Sequence, residues 1–110
     1  MRYIFAVIAN RTGEIQANHD EMAAIDAFNE RLKVNSHLIL AAGIAEPSRA
    51  ALFDNRWGAS IQKTGSLFDG PEHYSGFWII EADSPEQAQA FAVDGSRACN
   101  RRVELRPFLG

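Results

Sequence analysis

Three apolar stretches constrain this chain more than any other feature: "YIFAVIA" at 3–9, "HLILAAGIA" at 37–45 and "GFWIIEA" at 76–82. Each has the length and the β-branched or aromatic content of a strand. Alternate residues of a strand point to opposite sides of its sheet. Tyr3, Phe5 and Val7 therefore share one face, and Ile4, Ala6 and Ile8 share the other. Leu38 and Leu40 oppose Ile39 and Ala41; Phe77 and Ile79 oppose Trp78 and Ile80. A sheet with one wet face alternates apolar with polar residues, and these strands do not. Both of their faces need cover.

Helices supply part of it. Asn18, with Glu21 three residues on, makes an Asn version of the capping box. Met22, Ile25, Phe28 and Leu32 then recur at helical spacing, and Asn35 is a left-handed stop. Ser84-Pro85-Glu86-Gln87 is a second helix start, followed by an apolar stripe of Ala88, Phe91 and Ala92. Asp94-Gly95 is expected to end that helix. Residues 10–18 read as a loop. "AALFD" and "ASIQKTG" are shorter strand candidates on either side of Asn55-Arg56-Trp57-Gly58, and "RVELRPF" is a last strand that stops at Pro107.

The order is β-α-β, hairpin material, then β-α-β. It predicts an α+β, ferredoxin-like (split βαβ) domain with a mostly antiparallel sheet and both helices on one face. The 110 residues make one domain, 1–110, with no linker or repeat. Two helices cover only one face. A second copy, packed sheet to sheet about a two-fold axis, is the expected cover for the other. At ~25 cal/mol per Å², a few hundred Å² of such surface is worth several kcal/mol before association costs. The alternative is that the hairpin, residues 50–64, folds back over it.

Composition excludes several function classes. Hydrophobic content of 46% and charged content of 23% are those of a globular protein. A net charge of −3 and a pI near 5.5 argue against a nucleic-acid partner, which needs a basic face. No apolar run approaches the ~18 residues of a membrane span. The N-terminal "MRYIFAVIAN" lacks a cleavage signature and reads as a first strand, not a signal peptide. One cysteine, Cys99, makes no internal disulfide, so a cytoplasmic setting is the default. Arg97, Arg101 and Arg102 lie near it in sequence, which sets a reactive thiolate beside the plainer reading of a packed thiol.

Candidate chemistry is sparse. His19, His37 and His73 show no metal-ligand spacing, and no metal is expected. There is no Gly-rich phosphate loop and no G-x-S-x-G elbow. Flavin, haem and nicotinamide have no local signature, so no cofactor is expected. What remains lies in "FDGPEHY", residues 68–74. Asp69 can orient His73, four residues on, as a general base. Equally, an Asp before Gly-Pro caps its own turn, and Pro71 fixes the backbone that enters the strand. His19, beside Asp20 and Glu21, is a surface residue, a partner to acids or a pocket rim. Trp57 either lines a cleft or packs; Trp78 belongs to the core or to a subunit interface. Arg106 forms an ion pair with Glu104 on its own strand face, or else points into a pocket and attracts a carboxylate or phosphate.

"FDGP" followed by "GFWIIEADSPEQAQAFA" and "VELRPF", together with "AAGIAEPSRAALF", resembles the YCII-related proteins, in particular the branch with a DGPF motif. The resemblance spans nearly the whole chain. It implies a ferredoxin-like subunit and a dimeric α/β barrel. It further implies an enzyme-like cleft that uses a His–Asp pair in some members, or a signalling role linked to alternative sigma factors in the DGPF branch. Asp69, Gly70, Pro71 and Arg106 are the positions it carries over, with His19 and His73 as looser candidates. The chain departs from the pattern at Glu72, where the motif has Phe, and in the short segment Glu72-His73-Tyr74-Ser75. Asn35 stands where the family tends to have Gly.

The expectation is a small cytoplasmic homodimer with a cleft between sheet and helices in each subunit. One reading makes it a small-molecule enzyme, with Asp69 orienting His73 or His19. A second makes it a non-catalytic ligand-binding or regulatory module in which Asp69 is only a turn cap. A third is an accessory interaction protein with an apolar patch to spare.

Overall fold

In the computed structural model, which describes residues 1–10 and 19–110 (of His19, the backbone alone), two βαβ halves flank a hairpin. β1 (Arg2–Asn10), α1 (His19–Val34) and β2 (Leu38–Gly43) form the first half. β3 (Ala51–Asp54) and β4 (Ile61–Thr64) form the hairpin. β5 (Glu72–Glu81), α2 (Pro85–Cys99) and β6 (Arg102–Pro107) form the second half. Of the loop expected at 10–18, Asn10 instead ends β1; the rest of that loop, Asn18 as a cap and a role for the His19 side chain lie outside the described residues.

The four long strands pair in the order β2-β5-β1-β6, every neighbour antiparallel. Each half thus places one strand between the two strands of the other, an α+β arrangement compatible with the ferredoxin-like expectation. Register puts Phe5 opposite Trp78 and Tyr3 opposite Ile80 on one face. There Phe5 stacks on Trp78 with ring centroids 4.9 Å apart, and Phe28 of α1 meets Trp78 edge-on at 5.5 Å. Phe28 and Leu32 from α1 join Ala88, Ala92 and Ala98 from α2 in the same buried cluster, so both helices lie on this face. Trp78 is a core residue, 4% exposed.

The helix ends show where local signals compete with packing. At the end of α1 the left-handed residue is Ser36 (φ 60°), one position beyond the expected Asn35. Ser36 N–H donates to Lys33 O and His37 N–H to Leu32 O, the paired bonds of a Schellman end. Asn35 instead donates its side-chain amide to Arg31 O at 3.1 Å. α2 begins as expected, with Ser84 Oγ accepting from Gln87 N–H at 3.1 Å and Pro85 in the first turn. It does not end at Asp94-Gly95. It runs to Cys99 and closes on Asn100 in the left-handed conformation (φ 52°). Gly95 is a close-approach residue: a Cβ there would sit 2.7 Å from Phe5 Cε2 and 3.3 Å from Phe28 Cε2.

Pro71 is the last residue before β5, which starts at Glu72, four residues earlier than the apolar run alone indicates. The second face of the sheet carries Ile4 opposite Ile79, Ala6 opposite Phe77, and Leu40 beside Ile79. β6 adds Glu104 and Arg106 there. The hairpin does not cover this face. β3 pairs with β4 in a sheet of its own and has no substantial packing against the helices or the large sheet. It leaves Phe53 and Ile61 exposed and gives the subunit a flat, extended outline of 46 × 37 × 18 Å. Fold-back of residues 50–64 over the open face is therefore corrected: the short strands satisfy their backbone groups on each other. Among the described residues, no helix is long and apolar enough to cross a membrane.

Candidate functional site

A cleft of about 560 Å³ opens between α1 and the sheet, close to the C-terminal end of α2. Small residues make room for it. Ala41, Ala42 and Gly43 of β2 run beside Gly76 of β5, where a Cβ would come within 2.9 Å of Ala42 O. A bulge shapes the same spot. The β1–β5 register steps from Val7–Gly76 to Ile8–Tyr74, leaving Ser75 as the extra residue. Bulges re-aim side chains, and Ser75 lines the cleft. Val7, Ile25, Ala41 and Trp78 supply apolar walls.

Four side chains bring hydrogen-bonding groups to the cleft: Asn29, Ser75, Cys99 and Arg101. Trp78 Nε1 donates to Asn29 Oδ1 at 2.6 Å. Cys99 is buried, and burial pushes its thiol pKa up; a backbone hydrogen bond at Arg101 and that residue's positive charge pull the other way, while Glu21 adds to the rise. Sγ lies 3.9 Å from both Ser96 O and Arg101 O, within reach of a weak S–H donation. The thiolate reading of Cys99 gives way to that of a neutral, packed thiol. Arg101 Nη1 donates to Cys99 O at 3.2 Å, which holds the guanidinium at the end of α2.

The residues singled out from sequence lie elsewhere. Asp69 and Gly70 are exposed in the turn before Pro71. His73 sits at the start of β5, half-buried, opposite Ala9 of β1. Its Nδ1 is buried without a hydrogen-bond partner among the described residues, so Asp69 does not hold the ring through that nitrogen. His73 borders a second cavity, about 240 Å³, together with Glu46, Arg49, Ser66 and Tyr74 at the base of the hairpin. Trp57 stands 96% exposed at the hairpin tip in a left-handed conformation (φ 51°). Arg106 is on the open sheet face: its Nε donates to Glu104 Oε1 at 2.8 Å, and Tyr74 Oη donates to the same oxygen at 3.2 Å. The ion pair with Glu104 is thus present. Arg102 and Glu72 form another beside it.

Asn29 and Ser75 were not candidates from sequence. Asn29 had a readable signal: it follows Ile25 by four residues and interrupts the inward stripe of α1 with an amide. Met22, expected in that stripe, is exposed. Ser75 had no such signal, because the bulge depends on the register between two strands.

None of the curated proteins compared with the chain matches it. A family model for the YCII-related domain matches residues 1–107. That match covers nearly the whole sequence, including every element that builds the cleft, and the chain belongs to the YCII-related family.

Proposed function

We propose that the protein is a homodimeric, small-molecule-binding member of the DGPF branch of its family, taking one ligand in the helix-side cleft of each subunit. The cleft carries this reading. Its volume and its apolar walls with a few convergent polar side chains are those of ligand sites. Binding is favoured over catalysis because no general base is assembled there among the described residues. The thiol is held neutral, and of the three sequence candidates Asp69 and His73 do not line the cleft, while the His19 side chain lies outside the described residues. A regulatory role of the kind linked to sigma factors fits such a module, and a cytoplasmic setting fits its single cysteine.

The dimer rests on the open face. Among the described residues Ile4, Ala6, Phe77 and Ile79 are only half-buried and Leu40 is exposed, and the hairpin leaves Phe53 and Ile61 exposed as well. A second copy across a two-fold axis closes the two sheets into a dimeric α/β barrel. A stable interface of standard size removes roughly 800 Å² from each partner. Native mass spectrometry of the purified protein tests both parts. The expected result is a dimer that carries up to two copies of a small molecule, released on denaturation. A monomer at micromolar concentration overturns the assembly. A chain that neither retains nor takes up any small molecule overturns the binding function.

A second reading, an enzyme with His73 as its acid or base, is favoured by one observation: the buried, unpartnered Nδ1 beside the smaller cavity. It requires that His73→Gln abolish turnover of any substrate found.

A further inference from the structure

We propose that a groove between α1 and α2, separate from the cleft above, binds a free α-amino acid with an apolar side chain. The groove holds about 280 Å³ beside the last turns of α1. Phe28, Leu32 and Phe91 give it apolar walls, and His37 lines it with its ring 4.9 Å from that of Phe91. Hydrogen bonds to the backbone fix what its polar side chains still offer. Asn35 Nδ2 donates to Arg31 O, which leaves Oδ1 as an acceptor. Gln87 Oε1 accepts from Asp83 N–H at 2.7 Å, which leaves Nε2 as a donor. His37 Nδ1 lies 2.8 Å from Glu81 O. A carbonyl only accepts, so Nδ1 carries the hydrogen and Nε2 of the neutral ring is an acceptor.

Two opposite charges line the same groove without meeting, Arg31 and Asp94. The Arg31 guanidinium lies 5.7 Å from the centroid of the Phe28 ring and makes no ion pair among the described residues. Asp94 has a long, exposed contact within its own helix, 3.4 Å to Arg97 Nη1. The groove thus presents donors from Arg31 and Gln87 and acceptors from Asp94, Asn35 and His37. A simple anion would bring its charge beside Asp94, and a simple cation would bring its charge beside Arg31. A neutral ligand would take water from both charges and give no ion in return. A zwitterion matches: its carboxylate accepts from the guanidinium and the Gln87 amide, and its ammonium donates to the Asp94 carboxylate and the other acceptors. The apolar walls then take an aliphatic or aromatic side chain. The volume is near the lower end for small-molecule sites, which suits a single residue.

Three probes with one side chain test the class: L-leucine, N-acetyl-L-leucine, which keeps only the carboxylate, and L-leucinamide, which keeps only the ammonium. The readout is the side-chain amide signals in NMR titrations of the full chain. Asn35 and Gln87 report on the groove; Asn29 and the Trp78 indole report on the cleft. Leucine is expected to shift Asn35 and Gln87 saturably, and to bind about tenfold or more tighter than either blocked form. Arg31→Gln and Asp94→Asn should each weaken leucine by about the same factor. Arg31 is exposed and Asp94 half-buried, so both variants should keep a dispersed spectrum. A blocked form that binds as well as leucine, or a leucine affinity unchanged by either substitution, overturns the zwitterion class. No saturable shift of Asn35 or Gln87 at millimolar leucine overturns the groove as a site. Shifts confined to Asn29 and Trp78 also overturn it, and leave the reading of the cleft in place.

Discussion

Trp78 Nε1 and Asn29 Oδ1 lie 2.6 Å apart, so a core residue of β5 decides which way an amide on α1 faces. The bond joins the packing of the helix face to the chemistry of the cleft. Trp78 is also stacked on Phe5 and met edge-on by Phe28, which leaves its indole little freedom to seek another acceptor.

Asn29→Ala should therefore leave a buried donor unpaired and lower stability by about 1–3 kcal/mol. Asn29→Asp, which retains the acceptor, should lose less. Urea denaturation monitored by tryptophan fluorescence separates the two. Equal losses would mean that the bond contributes little.

Gly95→Ala tests the close approach of α2 to the sheet. Alanine is about 1 kcal/mol better than glycine in a helix interior, so a free helix would gain. Here the added Cβ falls 2.7 Å from Phe5 Cε2 and must displace a ring that is stacked on Trp78. Overpacking of this kind costs roughly 1–3 kcal/mol. The expected outcome is net destabilisation, partly relieved when Phe5→Leu is added. A melting temperature raised by Gly95→Ala alone would contradict the packing described.

Ile79→Glu places a charge in the middle of the open face, opposite Ile4 and beside Leu40. In the proposed dimer it buries unpaired charge at the interface and should give a folded monomer. Light scattering reads the mass, and near-UV circular dichroism confirms that the core is intact. Trp57→Ala, at the far tip of the hairpin, should leave the core unchanged. An Ile79→Glu protein that stays dimeric would move the interface to another surface.

Burial raises the Cys99 thiol pKa in the folded chain above its unfolded value. The folded state therefore holds its proton more tightly. Stability tied to the neutral thiol is complete below the unfolded pKa of about 8.5 and is lost as pH rises through the folded pKa. The stability difference between wild type and Cys99→Ala should be constant from pH 6 to 8 and shrink above that. Thiol reagents should label the native protein slowly at neutral pH and rapidly in denaturant. Fast native labelling would restore the reactive-thiolate reading.

Much of the architecture is legible in the sequence because its signals are local. Strand periodicity in 3–9 and 76–82, the Ser84-Pro85-Gln87 start of α2, and the stop at Pro107 each depend on residues within one element. Apolar residues on both faces of three strands also marked the second sheet face, whose Ile4, Phe77 and Ile79 remain half-buried among the described residues. Pro71 marked the entry to β5 for the same reason: a fixed φ acts on the next residue whatever the rest of the chain does.

Tertiary structure decided the rest. Gly95 carries the local mark of a helix end, yet it lies within α2, because what its missing side chain serves is Phe5, ninety residues away. Asp69 and His73 are near in sequence, yet Asp69 is exposed in its turn and His73 Nδ1 takes no hydrogen bond among the described residues. The polar groups of the cleft come from α1, from a bulge in β5 and from the segment after α2, at positions 29, 75 and 101. Sequence specifies what each of those side chains can donate or accept. Only the packing of α1 and α2 on one sheet face brings the three to a common cavity, since contacts across such separations follow from how elements stack and not from any pattern within them.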